Sequence, residues 1–424
     1  MQQLIPLRSD PLCRSPVICR TVLNLTVANI QTGFGPFIAS YLTSQGWTQS
    51  AIGLALSLGT VTSMASQIPA GAIVDATRRK SVVAGLSLIA FTLSALFLAI
   101  SPTPLFVYLA EILHGFSSCT LGPAIAAMTL ALVGPAVLGP RFGRNARFAS
   151  IGNGIGAALM GACGYYISSR AVFYLTAAIT LPALLTLLPL SALDSAQGPV
   201  RRENMPKPTG WDLVKLLLDR RLAVFAVCAA LFTLANSAML PLAASLMTIR
   251  AGAPSSLLIA AAIVLPQAIV AIISPKIGRL ADQRGRRPVL LLGFAMLPLR
   301  GIILAFVNDP TLMVLAQALD GVAGACFGIL VPLITSDVAA LTGRYNLCLG
   351  AISFMIGVGG TPSTAIAGIV ADRFGPSVAF IGMSTVGLLA MLLGLFAMPE
   401  TRPTAPLRRP ADQPLPGVRV KSRI

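Results

Sequence analysis

A carboxylate and the only histidine of the chain lie three residues apart in a long apolar segment. Glu111 and His114 share one face of a helix at this spacing. An ionisable side chain in such a segment is costly to bury, so it faces a cavity or a partner by default. Histidine exchanges a proton near neutral pH, and burial favours the neutral form of a carboxyl group. The pair therefore indicates proton uptake or contact with a polar solute, and packing as a buried hydrogen-bonded pair is the alternative.

A second polar group with the same spacing lies in the second half of the chain. Gln317 and Asp320 are three residues apart, and Arg300 lies in the preceding apolar segment. Arg300 could neutralise Asp320 as a buried ion pair, or extend its guanidinium toward the polar end of its helix. Because positions 114 and 320 correspond in the two halves, we expect His114 and Asp320 to line one cavity from opposite sides. We rank Glu111, Asp320 and His114, in that order, as proton carriers.

Amide side chains are further candidates for solute binding. Asn24 and Gln31 are seven residues apart and share a helix face, and Asn236 roughly mirrors Asn29 in the second half. Together with Gln317 these amides could bind a solute, although an amide inside a helix bundle also commonly bridges helices. The sequence contains no metal-binding motif, no phosphate-binding Walker motif and no motif of an intramembrane protease. We therefore expect no metal, no cofactor, no catalytic residues and no direct use of ATP.

The surrounding sequence is far more apolar than that of a soluble protein. Hydrophobic residues occupy 55% of the 424 positions and charged residues 11%, and the mean hydropathy is +0.81. A soluble domain has about 25% charged residues. Apolar segments that can cross a bilayer core of roughly 30 Å as helices recur along the chain, which predicts an all-α polytopic membrane protein. The twelve expected spans are 17–41, 50–73, 81–100, 104–133, 146–168, 171–192, 221–247, 255–274, 289–307, 311–336, 347–370 and 377–398.

The expected spans form two sets of six. We expect a cytoplasmic N-terminal segment at 1–16 and a first six-helix bundle at 17–192. A cytoplasmic linker with an interfacial helix follows at 193–220, then a second bundle at 221–398. The remaining 399–424 is predicted to be a disordered basic cytoplasmic tail.

The basic residues are distributed asymmetrically over this arrangement. The chain has 31 Lys and Arg against 14 Asp and Glu, a formal net charge of +17. Arg170, Arg250 and Arg373 fall on one side of the twelve spans, Arg300 falls inside a span, and all other basic residues fall on the opposite side. Because positively charged loops are retained in the cytoplasm, this side and both termini are predicted to be cytoplasmic. Membrane topology accounts for the charge, so we expect no nucleic-acid partner.

A charged loop motif occurs once in each half, which indicates a duplicated six-helix unit. Between spans eight and nine it reads G-R-L-A-D-Q-R-G-R-R, and the copy between spans two and three keeps its charge pattern but lacks the second glycine. An acid at a helix end can pair with a loop arginine or a neighbouring helix end in one conformation only, and so bias a two-state equilibrium. The alternative is that the acids merely balance the loop arginines. The motif residues are Gly71, Asp75, Arg78 and Arg79 in the first copy, and Gly278, Asp282, Gly285, Arg286 and Arg287 in the second.

In this position the motif resembles the signature of the major facilitator superfamily, and the resemblance covers residues 17–398. It implies two pseudo-symmetric six-helix bundles and secondary active transport of a small solute by rocker-switch alternating access. The family's fourth span commonly has Arg where Glu111 stands and Gln where His114 stands, so the proton-relay role of that arginine does not carry over. Gly152-x-x-x-Gly156 in span five lacks the Gly-Pro that the family's antiporters often have next.

The resemblance to drug and metabolite exporters implies proton-coupled efflux, with an antiporter in the bacterial inner membrane as the expected protein. A proton-coupled importer of a sugar, an amino acid or a siderophore-like solute is the first alternative, and an intramembrane enzyme is an alternative of another class. The expected partners are a small-molecule substrate, protons and the lipid bilayer, and we expect a monomer.

Overall fold

Helices make up the described structure. The computed structural model describes residues 34–77, 80–133, 138–196, 219–252, 254–342 and 345–402. Within these ranges the chain forms thirteen helices. In chain order they are α1 (Phe34–Ser44), α2 (Gln49–Ala76), α3 (Lys80–Ile100), α4 (Pro104–Val133), α5 (Leu138–Tyr166), α6 (Ala171–Ala196), α7 (Arg220–Asn236), α8 (Met239–Ala251), α9 (Ser255–Arg284), α10 (Arg286–Phe306), α11 (Pro310–Thr342), α12 (Tyr345–Phe374) and α13 (Pro376–Phe396).

Long apolar helices account for the expected membrane spans. Seven of the described segments are long and apolar enough to cross a bilayer, as judged by length and composition. One of them, Arg220–Ala251, comprises α7 and α8 and corresponds to the seventh expected span. Helices α1, α2, α4, α5 and α6 lie at the remaining expected spans. The predicted all-α fold with twelve membrane-spanning helices is therefore confirmed.

The helix bounds differ from the predicted spans at α9, which runs to Arg284 although the eighth span was expected to end at 274, and at the start of α5. This helix begins at Leu138, whereas the fifth span was expected from residue 146. The charge of this segment predicts a loop, but arginine is a good helix former and the helix continues through its arginines. The described residues cover only the end of the first expected span, where α1 lies. The predicted terminal segment 1–16, most of the linker (197–218) and the tail from 403 lie outside the described residues.

The same packing pattern occurs in each half of the chain. In the first half α4 packs against α2 and α3, and α3 packs against α6. In the second half α11 packs against α9 and α10, and α10 packs against α13, which are the corresponding pairs. The halves meet at two contacts, α2 with α12 and α5 with α9. When corresponding helices of the two halves are exchanged, each contact becomes the other. This arrangement is the pair of pseudo-symmetric six-helix bundles that the duplicated sequence predicted.

Apart from α7 and α8, which together form one span, consecutive helices run in opposite directions, so their connections alternate between two ends. We call the end with the connections at 45–48, 101–103, 167–170, 252–254, 307–309 and 375 the charge-poor end, and the other the charge-rich end. Single glycines make two of the turns: Gly285 joins α9 to α10 with φ +103°, and Gly375 joins α12 to α13 with φ +92°. Side chains with a Cβ rarely adopt this backbone region, so glycine permits these one-residue turns.

Candidate functional site

A buried arginine organises a polar cluster in the second half. Arg300 of α10 donates from Nη1 to Oδ1 of Asn236 at 2.6 Å and to Oδ1 of Asp320 at 2.6 Å. Its Nη2 donates to Oε1 of Gln317. The four residues, which we call the Arg300 cluster, come from α7, α10 and α11. Of the two alternatives for Arg300, the structure has the buried ion pair with Asp320.

The members of the Arg300 cluster differ in exposure. The Arg300 side chain is 2% exposed, and the Asp320 side chain is 23% exposed. Gln317 is fully buried, and its Nε2 donates to the carbonyl oxygen of Met313 at 3.3 Å. The carboxylate of Asp320 is therefore partly accessible, whereas the guanidinium behind it is not. Contact between Gln317 and a solute would need a different arrangement of these helices, so its predicted role in binding remains untested.

Replacing Arg300 should destabilise the second half strongly. In Arg300→Met the carboxylate of Asp320 and two amide oxygens lose their shared donor, and breaking one side of a buried ion pair costs about 3–5 kcal/mol. We expect the thermal unfolding temperature of the purified protein in detergent to fall markedly. The double variant Arg300→Met/Asp320→Asn should recover part of the loss, because it removes the uncompensated charge. Unfolding of Arg300→Met at the wild-type temperature would show that the pair contributes nothing to stability.

The predicted Glu111–His114 pair forms in the first half. Oε2 of Glu111 lies 3.8 Å from Nδ1 of His114, and the Glu111 side chain is 3% exposed against 22% for His114. The imidazole ring packs edge to face on Phe91 of α3, with ring centroids 5.3 Å apart. Oε1 of Glu111 is buried and has no hydrogen-bond partner among the described residues. The contact that the three-residue spacing predicted is therefore present.

The two clusters differ in how their carboxylates are neutralised. In the Arg300 cluster the guanidinium supplies the positive charge that Asp320 requires. In the first half, Glu111 has His114 beside it, and histidine is positively charged only when protonated. The pair can therefore become electrically neutral by holding a proton, on either residue. The contacts described for each cluster lie within its own half, and the expectation that His114 and Asp320 line one cavity stays a prediction.

Several predicted site residues lie outside the described residues. Asn24 and Gln31 precede the first described helix, and Arg78 and Arg79 fall in the gap before α3. Gly71 and Asp75 belong to α2, but their side chains are not described. The first copy of the loop motif is therefore untested.

The second copy of the loop motif lies at the charge-rich end. Oδ1 of Asp282 accepts from Nη1 of Arg286 at 2.6 Å, and Nε of Arg286 donates to Oδ2 of Asp337 at 3.0 Å. Asp282 is exposed, while Arg286 and Asp337 are almost fully buried. These contacts connect α9, α10 and α11 within one half. Asp282 therefore pairs with the following arginine, one of the two partners that the sequence allowed.

Glu400 completes this arrangement, and sequence reasoning missed it together with Asp337. Its carboxylate accepts from the backbone N–H groups of Arg286 at 2.8 Å and Arg287 at 3.2 Å, at the start of α10. A Cβ at Gly285 would overlap Oε2 of Glu400, so the turn glycine also makes room for it. Burial raises the pKa of the Glu400 carboxyl, but backbone N–H donors outweigh it and hold the pKa below its ordinary value. No local spacing signals this contact, because the residues are 114 positions apart.

Replacing Asp282 should impair function more than stability. An exposed ion pair contributes about 0.2–1 kcal/mol, so Asp282→Asn should fold and unfold like the wild type. If the Asp282–Arg286 contact forms in one conformation of the transport cycle only, its loss changes the balance of conformations and slows transport. We expect a reduced transport rate at normal expression. Arg284→Gln, which removes a neighbouring exposed charge, is the matched control. Normal transport by Asp282→Asn would mean that this acid merely balances the loop arginines.

At the charge-poor end the two halves are bonded to each other. Oδ1 and Oδ2 of Asp372 in α12 accept the backbone N–H groups of Gln49 at 3.0 Å and Ser50 at 2.6 Å, at the start of α2. Further along the same helices, Oγ of Ser57 lies 2.8 Å from Oγ1 of Thr364. A Cβ at Gly53 would overlap the carbonyl oxygen of Thr364, so the helices touch closely. We call this contact the α2–α12 seam; sequence reasoning did not identify it.

Comparison with known proteins relates these features to a family. The sequence matches the Major Facilitator Superfamily (MFS) over residues 21–296 and 226–423. An uncharacterized MFS-type transporter of Mycobacterium tuberculosis (strain ATCC 25618 / H37Rv) is 33% identical over 392 residues, which are 90% of this chain and 92% of that protein. The multidrug resistance protein MdtL of Escherichia coli (strain K12 / DH10B) is 26% identical over 131 residues, which are 30% of this chain and 33% of that protein.

Solved transporter structures share the fold. The crystal structure of the nucleoside transporter NupG superposes with a TM-score of 0.74 at 16% identity, over 90% of this chain and 98% of that one. The peptide transporter POT in complex with sulfate superposes with a TM-score of 0.71 at 14% identity, over 93% of this chain and 96% of that one. The sequence match covers both bundles, and the duplicated helices and the loop motif agree with it. The chain therefore belongs to the major facilitator superfamily, and it is a multi-pass membrane transporter rather than an enzyme.

Proposed function

We propose that the chain exports a small solute across the bacterial inner membrane in exchange for protons. The observation that carries the proposal is the unequal neutralisation of the carboxylates of Glu111 and Asp320. Arg300 already neutralises Asp320, whereas Glu111 depends on His114 or on a bound proton. A carboxyl group that is neutral with a proton and costly without one can load and release that proton as its surroundings change. We therefore assign proton coupling to Glu111, with His114 as its partner.

Alternating access in this proposal is a rocking motion of the two bundles. The charge-rich end is assigned to the cytoplasm by the distribution of basic residues. In that orientation the α2–α12 seam closes the outer side, and Thr248 of α8 adds a hydrogen bond to Ser40 of α1 at 2.7 Å. The opposite conformation requires this seam to separate. The contacts that separate are hydrogen bonds and close helix packing, which a rigid-body rotation can break and remake.

A relative that matches part of the chain bears on the direction of transport. The multidrug resistance protein MdtL matches about a third of the chain, and this match favours efflux. Import of a sugar, an amino acid or a siderophore-like solute remains the second candidate, because the same proton site can drive symport. The intramembrane groups are few and largely neutralised in pairs, so we propose a solute without a high net charge.

The proposal is tested by a compound screen in an expression strain. Accumulation of each compound is compared between cells with the wild-type chain and cells with an empty vector, with and without a proton uncoupler. Efflux predicts a compound whose intracellular level is lowered by the chain and restored by the uncoupler. An uncoupler-sensitive increase in accumulation would instead establish import, and transport that ignores the uncoupler would refute proton coupling.

A further inference from the structure

The carboxylate of Glu111 occupies space that a side chain on α2 would otherwise fill. A Cβ placed on Gly59 would overlap Oε2 of Glu111 and would lie 3.4 Å from its carboxyl carbon. The third nearest atom is the carbonyl oxygen of Glu111, also at 3.4 Å, which is an ordinary contact distance. The single clash is thus with the flexible end of the Glu111 side chain. Because Gly59 has no side chain, the space beside it on α2 holds this carboxylate, and we call that space the seat.

Helix α2 carries both this seat and the seam between the two halves. Ser57, which bonds to Thr364 across the seam, precedes Gly59 by two residues. Two residues correspond to a rotation of about 200° around a helix, so the two side-chain directions are nearly opposite. One face of α2 therefore lies on the carboxylate of α4, and the other lies on α12 of the second half.

We propose that Gly59 is a positioning residue that seats the Glu111 carboxyl on α2, so that the protonation of Glu111 acts directly on the helix that forms the α2–α12 seam. The inference rests on the proposed role of Glu111 in proton coupling. A protonated carboxyl group fits a dry seat against the helix backbone, whereas an ionised one is drawn toward water or a positive charge. Proton release therefore weakens the packing of α4 on α2, and α2 passes the change to the seam.

The groups around Glu111 define what can influence its titration. His114 of α4 is the titratable group beside it, at 3.8 Å. Helix α2 contributes Gly59, and α3 contributes Phe91, which packs on the imidazole. Neither of these titrates, so among the described contacts His114 is the titratable group that faces Glu111.

The experiment displaces the carboxylate by adding one methyl group. In Gly59→Ala, the Glu111 carboxyl must leave its seat toward His114 and water. The probe is a membrane-permeant carbodiimide, which adds to protonated carboxyl groups, and labelling of residue 111 is followed by peptide mass spectrometry of the detergent-purified protein over a range of pH. We expect several-fold slower labelling of Gly59→Ala near neutral pH and a changed pH dependence, because water and His114 favour the ionised, unreactive form of the displaced carboxyl. Gly85→Ala in α3, where the nearest neighbouring atom lies 4.0 Å away, should label like the wild type.

Two further variants separate the possible failures. If Gly59→Ala does not fold, Gly59→Ala/Glu111→Asp should restore the yield, because the shorter acid no longer reaches the new methyl group. A lack of rescue would mean that Gly59 serves helix packing alone. A labelling rate and pH profile equal to the wild type would likewise overturn the inference. Either result leaves the role of Glu111 in coupling intact, because that role is decided separately by the transport activity of Glu111→Gln with the solute found in the screen.

Discussion

Glu111→Gln is expected to abolish uphill transport while preserving solute exchange and downhill flux. Glutamine has nearly the shape of glutamate but cannot take up or release a proton at physiological pH. The buried side chain should therefore stay in place, and the protein should fold normally, because the change removes a costly charge and adds no clash. Without the proton, each transport cycle proceeds down the solute gradient only. Loss of a binding residue would have a different result, since it would impair uphill and downhill transport together.

The measurement uses proteoliposomes with an imposed pH gradient and the solute identified by the screen. We expect Glu111→Gln to bring the solute to the same concentration on both sides, where the wild type concentrates it on one side. His114→Gln is a graded comparison and should retain coupling with an altered pH profile, because Glu111 can still hold a proton. Uphill transport with unchanged pH dependence in the triple variant Glu111→Gln/His114→Gln/Asp320→Asn would show that the driving ion binds elsewhere or is not a proton.

Asp372→Ala is expected to shift the protein away from the conformation described here. The carboxylate of Asp372 accepts hydrogen bonds from two backbone N–H groups at the positive end of the α2 dipole. The other hydrogen bond described in the α2–α12 seam, between Ser57 and Thr364, joins neutral hydroxyl groups. Hydrogen bonds to a charged group contribute about 1.5–3 kcal/mol. Losing this contact should therefore change the ratio of closed to open conformations by roughly tenfold to a hundredfold. Asp372→Asn keeps one acceptor oxygen, so we expect an intermediate effect.

Distances between spin labels at positions 45 and 378 report this shift, because the labels lie in different halves at the charge-poor end. Gln45 and Val378 are both exposed, and neither belongs to the seam. The variants should populate longer distances in the order wild type, Asp372→Asn and Asp372→Ala. Arg373→Gln removes an exposed charge on the adjacent residue and should leave the wild-type distribution unchanged. An unchanged distribution in Asp372→Ala would show that helix packing alone holds the seam closed.

Local features of the chain were predictable from the sequence. The lengths and hydropathy of the apolar segments predicted the helices, because a bilayer requires about 20 apolar residues per crossing and leaves no other way to satisfy the backbone. The Glu111–His114 and Asp282–Arg286 contacts were also predictable, since residues three or four apart are neighbours on any helix. The recurrence of motifs between halves predicted the two bundles. These properties depend on helix geometry and composition, which are local.

Contacts between distant helices were decided by the tertiary structure. The sequence left open whether Arg300 pairs with Asp320, and packing of α7, α10 and α11 brought Asn236, Gln317 and Asp320 to its guanidinium. Asp337, Glu400 and Asp372 carried no recognisable pattern, because their partners are between 51 and 323 positions away. Which helix faces meet depends on crossing angles and on small residues such as Gly53 and Gly59 at the contacts. A single sequence therefore determined the helices and their order, whereas the neutralisation of each buried charge depended on how those helices pack.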